Sequence, residues 1–356
     1  AELINILSNM VDTLVKETTT VTKDVSGSLL ISAADGATLK GIRIGGDLIL
    51  APGVTKDVTL VDCVIQGNIR NYGTGEVRFE APQITPESTA AKPSEVYKPG
   101  ATLDRTLEYG GKTVPIYRDR PLNVFSDVDF IWTDEENENQ RRLEYLGGEF
   151  RTRYGIDVSS FQGEIDWDAV ADDNIDFAMV RVGFRGTGTG SLNTDKYYEQ
   201  NIRGAMRAGL ETGVYFFAQA VTVEEAIEEA DYVISLLDGL DINGPVAYDW
   251  EMHDSTYRVY GTSPEMATAC AVAFCERIKD AGYTPMVYGG TYVTYMKYDQ
   301  GALADYLSWY PEYKSEKSEK LCPTLVYHMD YWQFSSTRAV AGINGRVDMN
   351  IQFIRR

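Results

Sequence analysis

From Tyr154 onward, apolar runs of strand length alternate with amphipathic stretches of helical length. The strand-like runs are YGIDVSS, FAMVRVGF, GVYFFAQA, PVAYDWE, PMVYGG, YLSWY and YWQFSS. Capped helical stretches separate the early runs: Thr194 or Asp195 is predicted to cap one, Thr222 with Glu225 another, and Ser263 a third. Alternation over roughly 200 residues predicts a parallel α/β barrel. Its second half is predicted to be incomplete, because full helices are missing between the later strands.

In the N-terminal part of the chain the apolar residues recur at different spacings. Apolar positions at helical spacing predict an amphipathic helix over residues 1–18. From about residue 19 the period changes to two, and LKGIRIGGDLIL (39–50) aligns with LVDCVIQGNIRN (60–71) at an offset of 21. A weaker copy places Gly27 19 residues before Gly46. Short strands with glycine corners predict a small all-β, parallel β-helix-like domain capped by the opening helix. An ordinary β-sandwich is the alternative.

Composition shifts divide the chain further. The stretch 84–100 (ITPESTAAKPSEVYKPG) is rich in Pro, Ser and Thr and is typical of a linker. Residues 101–150 contain strand-like runs and the acidic turn EENENQ, and we expect them to connect the domains without a core of their own. The predicted organisation is an accessory domain over 1–95, a bridging segment over 96–150 and a barrel over 151–356.

Charge and composition exclude several classes of protein. The chain has 53 acidic against 33 basic residues, a net charge of −20. A field of this sign repels nucleic acid and anionic membranes, so neither is an expected partner. Membrane insertion is not expected, because no run of 18 apolar residues is present. The first residue is not Met, which suits a processed chain. Four cysteines without a CxxC pattern and two histidines indicate neither a disulfide framework nor a metal site, so carboxylate chemistry without a cofactor is the expectation.

In a parallel barrel the functional residues lie at the C-terminal ends of the strands. Asp249 and Glu251 end the run PVAYDWE and share one face of it, about 6.6 Å apart. Crowded carboxylates in partly apolar surroundings titrate apart, so that one stays ionised and the other tends to stay protonated. Cleavage of a glycosidic bond requires such a pair. Aromatic residues at the neighbouring strand ends would pack against sugar rings.

Four stretches resemble glycoside hydrolase family 25, the lysozymes or muramidases of bacteria and phages. They are YGIDVSSFQGEIDW, GVYFFAQA, DWE and YWQFSSTRAVAGINGRVDMN, in this order and spacing. The resemblance covers about residues 153–353 and does not extend to the first 150 residues. It implies an irregular (β/α)5(β)3 barrel, similar to a TIM barrel. It also implies hydrolysis of the β-1,4 bond between N-acetylmuramic acid and N-acetylglucosamine in peptidoglycan.

The resemblance assigns roles motif by motif. Glu251 is the expected general acid, and Asp249 is expected to orient the substrate's 2-acetamido group or balance its charge. Asp157 and Asp348 match the other two acidic positions of the family's site. The expected substrate-binding residues are Tyr215, Phe217, Tyr288, Trp332, Gln333 and Arg181. We interpret Arg181 as an internal partner of a site carboxylate and His253 as a loop or rim residue. YLSWYPEYKSEKSEK matches the family only loosely, so Trp309 and Tyr310 are not assigned to the groove.

Two other functions stay open at this point. A chitinase-type glycosidase also ends its fourth strand in Asp-Trp-Glu, but Gly244, Pro245 and Ala247 stand here where that motif has further Asp and Gly residues. A non-catalytic wall-binding protein on the same barrel is the other, and the presence of all four acidic positions argues against it. The leading expectation is a secreted, wall-associated muramidase. Its partners would be peptidoglycan glycan strands, with wall or protein contacts through residues 1–95.

Overall fold

The computed structural model of the chain describes residues 11–61, 63–65, 68–80, 93–100, 102–133 and 140–356. The chain divides into two compact units, Ala1–Thr89 and Ala90–Arg356. Within the described ranges, no helix combines the length and the apolar character needed to cross a membrane.

The described part of the first unit consists of short strands that pair in parallel. The strands are β1 (Thr13–Val15), β2 (Thr20–Val21), β3 (Leu29–Ile31), β4 (Ala37–Lys40), β5 (Arg43–Ile44), β6 (Leu48–Leu50), β7 (Val58–Val61), β8 (Val64–Ile65), β9 (Ile69–Asn71) and β10 (Val77–Glu80). They form three sheets, in the orders β1-β3-β6-β9, β2-β4-β7-β10 and β5-β8. Parallel pairing is not the antiparallel arrangement of an ordinary β-sandwich.

The strand register confirms the internal repeat predicted from the sequence. Leu39 pairs with Leu60 and Ile44 with Ile65, both at the predicted offset of 21. Leu29 pairs with Leu48 at an offset of 19, which is also the spacing of Gly27 and Gly46. The match of Gly46 with Gly67 lies outside the described residues. Equivalent apolar positions therefore lie above one another in a buried stack, and this stacking is why the repeat is visible in the sequence.

The helix predicted over residues 1–18 is wrong where the structure describes it. Thr13–Val15 is a strand whose residues pair in parallel with Leu29–Ile31, and residues 1–10 lie outside the described part. The apolar spacing fits a helix, but pairing with a fully buried neighbouring strand satisfies the backbone of this β-branched segment and prevails over the local periodicity.

The second unit begins with one helical turn and two antiparallel hairpins. These are α1 (Pro93–Val96), the pair β11 (Leu103–Tyr109) and β12 (Lys112–Tyr117), and the pair β13 (Phe130–Trp132) and β14 (Leu143–Tyr145). Val114, Ile116, Phe130 and Leu143 belong to the same buried apolar cluster as the rest of the unit. The acidic turn and most of the Pro-rich stretch lie outside the described residues.

The remainder of the second unit is a mixed α/β fold around a closed barrel. Its elements are β15 (Phe150–Val158), α2 (Trp167–Asp172), β16 (Phe177–Arg185), β17 (Leu192–Thr194), α3 (Tyr198–Arg207), β18 (Glu211–Ala218), α4 (Val223–Leu236), β19 (Val246–Trp250), α5 (Pro264–Asp280), β20 (Pro285–Tyr288), α6 (Thr291–Met296), β21 (Leu307–Pro311), β22 (Tyr331–Arg338) and β23 (Val347–Arg355). All of these strands except β17 form the barrel wall, which closes where β15 pairs with β16.

Neighbouring strands of the wall run parallel from β15 through β16 and on to β22. The last strand, β23, is antiparallel to both β22 and β15. The N-cap residues predicted for α4 and α5 are confirmed, because Thr222 and Ser263 each accept a hydrogen bond from the first turn. The capping box predicted for Glu225 is not formed, because its side chain accepts from the backbone of Val221 instead. The cap predicted for α3 is wrong: that helix starts after Tyr197, and Asp195 binds other groups.

Apolar side chains fill two layers of this unit. One layer packs between the wall and the surrounding helices, and it includes Tyr248, Trp250 and Trp332. The other lies inside the barrel and contains Phe177, Met179, Ala247, Met286, Tyr288, Trp309 and Tyr331. Because side chains alternate along a strand, the residues that follow this inner set at steps of two also point inward, at the C-terminal mouth of the barrel.

Candidate active site

A cavity of about 270 Å³ opens at the C-terminal ends of the barrel strands. It is lined by most of the residues predicted from the sequence: Asp157, Arg181, Tyr215, Phe217, Asp249, Glu251, Tyr288, Gln333 and Asp348. Strand alternation explains the set. Arg181 follows Met179, Asp249 follows Ala247 and Gln333 follows Tyr331, each two residues beyond a side chain of the inner core.

Asp157 is the most tightly held of the four carboxylates. It is about 5% exposed, and its Oδ2 accepts hydrogen bonds of 2.8 Å from both Gln333 and Asn350. Asn350 in turn accepts from the Trp309 indole at 2.8 Å. Asp348 lies directly across the sheet, since it pairs with Asp157 between β23 and β15. These bonds fix the carboxylate within the wall of the cavity.

Burial raises the pKa of three of the carboxyl groups. Desolvation raises the pKa of Asp157 to about 6, with the bonds from Asn350 and Gln333 acting in the opposite direction. Desolvation and the nearby charges of Asp157 and Glu251 raise the pKa of Asp348 to about 8. Burial, followed by the charges of Glu251 and Asp157, holds the pKa of Asp249 well above its usual range. At neutral pH the cluster therefore carries fewer than four negative charges.

Glu251 is more accessible than Asp157 and Asp249. Its side chain is 25% exposed, and its Oε2 lies 2.8 Å from Nε2 of His253. His253 is 63% exposed and lies in the loop that follows β19, so its predicted place at the rim agrees with the structure. Asp249, by contrast, is 7% exposed, and its Oδ1 has no hydrogen-bond partner among the described atoms. Two carboxylates two residues apart thus have different surroundings.

Arg181 has an internal carboxylate partner, as predicted, but the partner is Asp195 outside the four-residue cluster. The guanidinium lies 2.8 Å from the carboxylate of Asp195, which also accepts a bond from the Ser160 backbone. It lies under the ring of Phe161 at 5.1 Å. Its charge acts on the pKa of Asp249 against the effect of burial. Arg181 therefore lines the cavity, and its positive charge also lowers the pKa of Asp249.

The prediction that Trp332 binds substrate is wrong. Trp332 is fully buried outside the barrel wall, where its Nε1 donates to the Glu312 carbonyl at 3.0 Å and its ring meets Phe130 edge-on. Gln333 is the next residue on the same strand and points inward, so the two side chains cannot share a face. By the same alternation, Trp309 lines the cavity, whereas Tyr310 bonds to Thr291 away from it.

Several cavity residues were missed by sequence reasoning. Phe161 is 85% exposed at the rim, and the Tyr313 hydroxyl donates to Gln333 at 3.1 Å. Gln162 also lines the cavity, and Asn350 lies fully buried behind it, where it holds Asp157. Asn350 follows Asp348 by two residues on β23, so strand periodicity indicates that both side chains lie on the same face of the sheet. Phe161 and Tyr313 lie on loops, where no periodicity indicates direction.

A second cavity, of about 340 Å³, adjoins the first and shares Glu251, Tyr288 and Tyr313 with it. Its other walls are Met252, His253, Gly290, Thr291, Tyr292, Val293 and Pro311. Glu251 therefore stands between an acidic compartment and one lined mainly by apolar and hydroxyl-bearing side chains. A polymeric ligand that occupied both would pass directly over this carboxyl group.

Two other features of the described residues bear on the choice of site. No group of three or more His, Cys, Asp or Glu side chains in them is arranged to hold a metal ion. A larger cavity, of about 450 Å³, lies between the hairpin β11–β12 and the helices α5 and α6. None of the four clustered carboxylates lines it. The smaller cavity with the carboxylates is therefore the candidate active site.

Comparison with known proteins gives a consistent result. The sequence profile described as "Glycosyl hydrolases family 25" matches residues 156–343. The chain is similar to the "Autolytic lysozyme" of Clostridium acetobutylicum, at 25% identity over 55% of this chain and 54% of that protein. It is also similar to "Lysozyme M1" of Streptomyces globisporus, at 27% identity over 55% of this chain and 66% of that protein.

Among solved structures, the spore cortex lytic enzyme SleM of Clostridium perfringens matches 56% of this chain and 67% of its own, with 22% identity and a TM-score of 0.49. The chain spans about half the length of the autolytic lysozyme that it matches.

Proposed function

Because the chain belongs to glycosyl hydrolases family 25, we propose that it is a lysozyme that hydrolyses the β-1,4 bond between N-acetylmuramic acid and N-acetylglucosamine in peptidoglycan. The observation that carries this proposal is the convergence of Asp157, Asp249, Glu251 and Asp348 in one cavity of the barrel. Two relatives named as lysozymes support the same substrate class. Paired carboxylates perform this reaction without a metal or cofactor.

Glu251 is the proposed general acid, because it is more exposed than Asp157 and Asp249 and is the one carboxylate of the four that lines both cavities. Its proton passes to the glycosidic oxygen as the C1–O bond breaks, while the carbonyl oxygen of the substrate's 2-acetamido group bonds to C1. The Glu251 carboxylate then takes a proton from water, whose oxygen attacks C1 and reopens the oxazolinium ring. The acid is thereby restored.

Asp249 is the proposed partner of the acetamido group. Its buried Oδ1 lacks a hydrogen-bond partner among the described atoms, and an amide N–H of the substrate would supply one. As the acetamido group becomes an oxazolinium, positive charge develops beside Asp249. This charge opposes the burial that raises the pKa of Asp249 and favours its ionised form, which in turn stabilises the oxazolinium. Asp157 and Asp348 are the proposed positioning residues for the substrate, and the charge of Asp157 adds to the raised pKa of Asp249.

The proposed sugar contacts are the remaining inward-facing residues of the cavity. Tyr215, Phe217 and Tyr288 provide ring faces for pyranose C–H groups, and Gln333 and Arg181 provide polar contacts. Phe161 and Tyr313 extend the same lining to the rim. Trp332 has no part in this set.

The proposal also covers the fold class of the two units and the roles of the segments outside the barrel. We class the barrel as an irregular (β/α)5(β)3, TIM-like barrel, since five strand–helix steps precede its last three strands. We class the N-terminal unit as parallel β-helix-like, on the strength of its stacked parallel register. Residues 1–95 would serve as an accessory domain for wall or protein contacts, with 96–150 as a bridge to the barrel over 151–356. Action on wall polymer implies secretion.

The test is a digest of purified peptidoglycan, followed by borohydride reduction and mass spectrometry of the fragments. The wild-type chain is expected to release fragments with reducing ends on N-acetylmuramic acid. Glu251→Gln keeps the shape of the side chain but supplies no acidic proton, so its rate is expected to fall by at least about 100-fold. Glu164→Gln, an exposed position outside the cavity, is the matched control and should cleave at the wild-type rate.

Each other outcome has its own consequence. New reducing ends on N-acetylglucosamine would show that the chain is a glycosidase but would reject the proposed bond. This is the result that the chitinase-type alternative predicts. Binding to peptidoglycan without cleavage by the wild-type chain would reject the enzyme and leave a wall-binding protein.

A further inference from the structure

The main chain at Glu251 is held by a side chain rather than by the sheet. The pairing of β18 with β19 ends at Ala218 and Trp250, so Glu251 is the first residue beyond the ladder. Its carbonyl oxygen accepts a hydrogen bond of 2.7 Å from Nε2 of Gln219. One residue earlier, the Trp250 indole donates to the Ala220 carbonyl at 3.0 Å. The short stretch after β18 thus fixes the point where β19 leaves the sheet.

Gln219 is itself anchored at both ends of its backbone. It is fully buried, its backbone N–H donates to Oε1 of Glu229 at 3.0 Å, and its carbonyl accepts from Arg258 at 2.9 Å. Both anchors are ion-paired, Glu229 with Arg185 at 2.8 Å and Arg258 with Glu225 at 2.7 Å. The side chain of Gln219 therefore projects from a rigid support.

The orientation of the Gln219 amide follows from a single bond. Its Oε1 is buried and has no partner among the described atoms, whereas its Nε2 has the Glu251 carbonyl. A buried polar atom without a partner is unfavourable by about 1–3 kcal/mol in general. A packing role alone would be met by an apolar side chain of the same length, so what the amide adds at this position is the bond that it donates to Glu251.

We propose that Gln219 is a positioning residue that holds the main chain of Glu251 so that its carboxyl group reaches the leaving oxygen. This inference rests on the proposed function, in which Glu251 is the general acid. Gln219 is fully buried and lines neither cavity, so its action is through the Glu251 backbone. A shift of about 1 Å in a reacting group lowers a rate by up to about 100-fold, so loss of this bond would weaken proton donation without removing the acid.

The test compares two substrates that differ in their need for an acid. A peptidoglycan-derived glycan has a sugar leaving group that must be protonated, whereas a dinitrophenyl glycoside of the same glycan leaves as a stable anion. For both, kcat/KM reports the steps up to cleavage of the bond. Gln219→Met keeps the length of the side chain and removes its donor. It is expected to lower kcat/KM about 10-fold or more on the glycan and less than about twofold on the dinitrophenyl glycoside.

The matched control is Thr268→Val. Thr268 is fully buried on α5 and donates to the Pro264 carbonyl at 2.9 Å, so its loss also removes a buried hydrogen bond, but away from the cavity. A purely structural effect, as expected for this control, changes the two substrates by the same factor. Gln219→Asn is the second variant, because its amide is one methylene too short to reach the Glu251 carbonyl and should show the same selective loss.

Three results overturn the inference. Equal losses on the two substrates in the Gln219 variants would make Gln219 a packing residue. No loss on either would show that Glu251 is held by other contacts. Hydrolysis of neither substrate by the wild-type chain would reject the proposed function and the inference with it, whereas the first two results leave that function intact.

Discussion

Three aspartates share one desolvated cluster with Glu251, and the charge of Glu251 contributes to the raised pKa of each of them. Burial is the first cause of the raised pKa at Asp157, Asp249 and Asp348, and neighbouring negative charge adds to it. A fully ionised cluster would be strongly unfavourable in such surroundings. The folded chain therefore binds protons here that the unfolded chain releases, and its stability depends on pH.

Asp348→Asn should stabilise the folded chain at alkaline pH. The pKa of Asp348 is raised to about 8 in the folded chain, against about 3.9 for an unperturbed aspartate. The stability contributed by its bound proton is present in full below about pH 4 and is lost as the pH rises through 8. Asparagine never ionises, so at pH 8.5 the variant should melt at a temperature roughly 2 to 8 °C above that of wild type. The difference should be smaller at pH 5, as measured by thermal melting.

Asp104→Asn is the control of opposite sign. A hydrogen bond from Arg118 is the first cause of the lowered pKa of Asp104. The stability it contributes is present above the unfolded pKa and is lost only as the pH falls below it. Its replacement should therefore lower the melting temperature equally at pH 5 and pH 8.5. A gain from Asp348→Asn that was the same at both pH values would contradict ionisation as its cause.

At the scale of single elements, strand alternation accounts for most of the site that the sequence predicted. Residues two apart on β19 and β16 point inward together, which placed Asp249 and Arg181 correctly. The same rule separates Trp332 from Gln333, and the prediction named both because both stand at a strand end within a motif that resembles the family. Trp332 and Gln333 are adjacent on one strand, so alternation alone excludes that both side chains point into the cavity. This information was present in the sequence.

Trp332 and Trp309 form a matched pair that tests this geometry. Both are buried and both donate through Nε1, but Trp332 packs outside the wall and Trp309 lines the cavity. Trp332→Phe should lower the free energy of unfolding by about 1–3 kcal/mol, through lost packing and an unpaired carbonyl. Its kcat/KM should stay within about twofold of wild type.

Trp309→Phe removes the donor to Asn350, which in turn holds Asp157. Its kcat/KM should therefore fall about 10-fold, for the one buried hydrogen bond lost beside the site. Urea unfolding and glycan hydrolysis, measured on both variants, show which of the two tryptophans affects stability and which affects activity. Loss of activity in Trp332→Phe with unchanged stability would restore Trp332 to the site.

Other elements could not be predicted from local sequence, for physical reasons. The strand Thr13–Val15 owes its conformation to a neighbour 16 residues away. Phe161 and Tyr313 lie on loops, where side-chain direction depends on tertiary contacts. Aspartate is a residue type that often caps a helix, but the carboxylate of Asp195 forms an ion pair with the Arg181 guanidinium inside the barrel and does not cap α3. In each case a contact distant in sequence prevailed over a local preference.

At the scale of the whole molecule, two units with different periodicities occupy one chain. The first shows a repeat of 19 to 21 residues with parallel pairing, and the second shows strand–helix alternation. Both patterns were visible in the sequence because each is repeated many times. The segment that opens the second unit, residues 93–150, has no such repetition, so its two hairpins could not be predicted from a repeated pattern.

That segment decides how far the chain can be shortened. Arg120 is 5% exposed and donates to Gln300 at 3.0 Å and to the Tyr306 carbonyl at 3.2 Å. Val114 and Phe130 belong to the same apolar cluster as the barrel. Removal of the segment would expose this part of the cluster and leave the partners of Arg120 unpaired, and both effects are strongly destabilising.

A chain of residues 93–356 should therefore melt cooperatively and hydrolyse soluble glycan at the rate of the full chain. A chain of residues 151–356, which starts at the predicted barrel boundary, should aggregate or melt at least about 10 °C lower, since several kcal/mol of packing is lost. Full-length Arg120→Met is the matched variant, because it removes the buried hydrogen bonds and the charge of Arg120 but keeps the apolar contacts of the segment, and its melting temperature should fall between those of the two shortened chains. Equal melting temperatures and activities for the two shortened chains would make residues 93–150 a linker, because the barrel would then need none of their contacts.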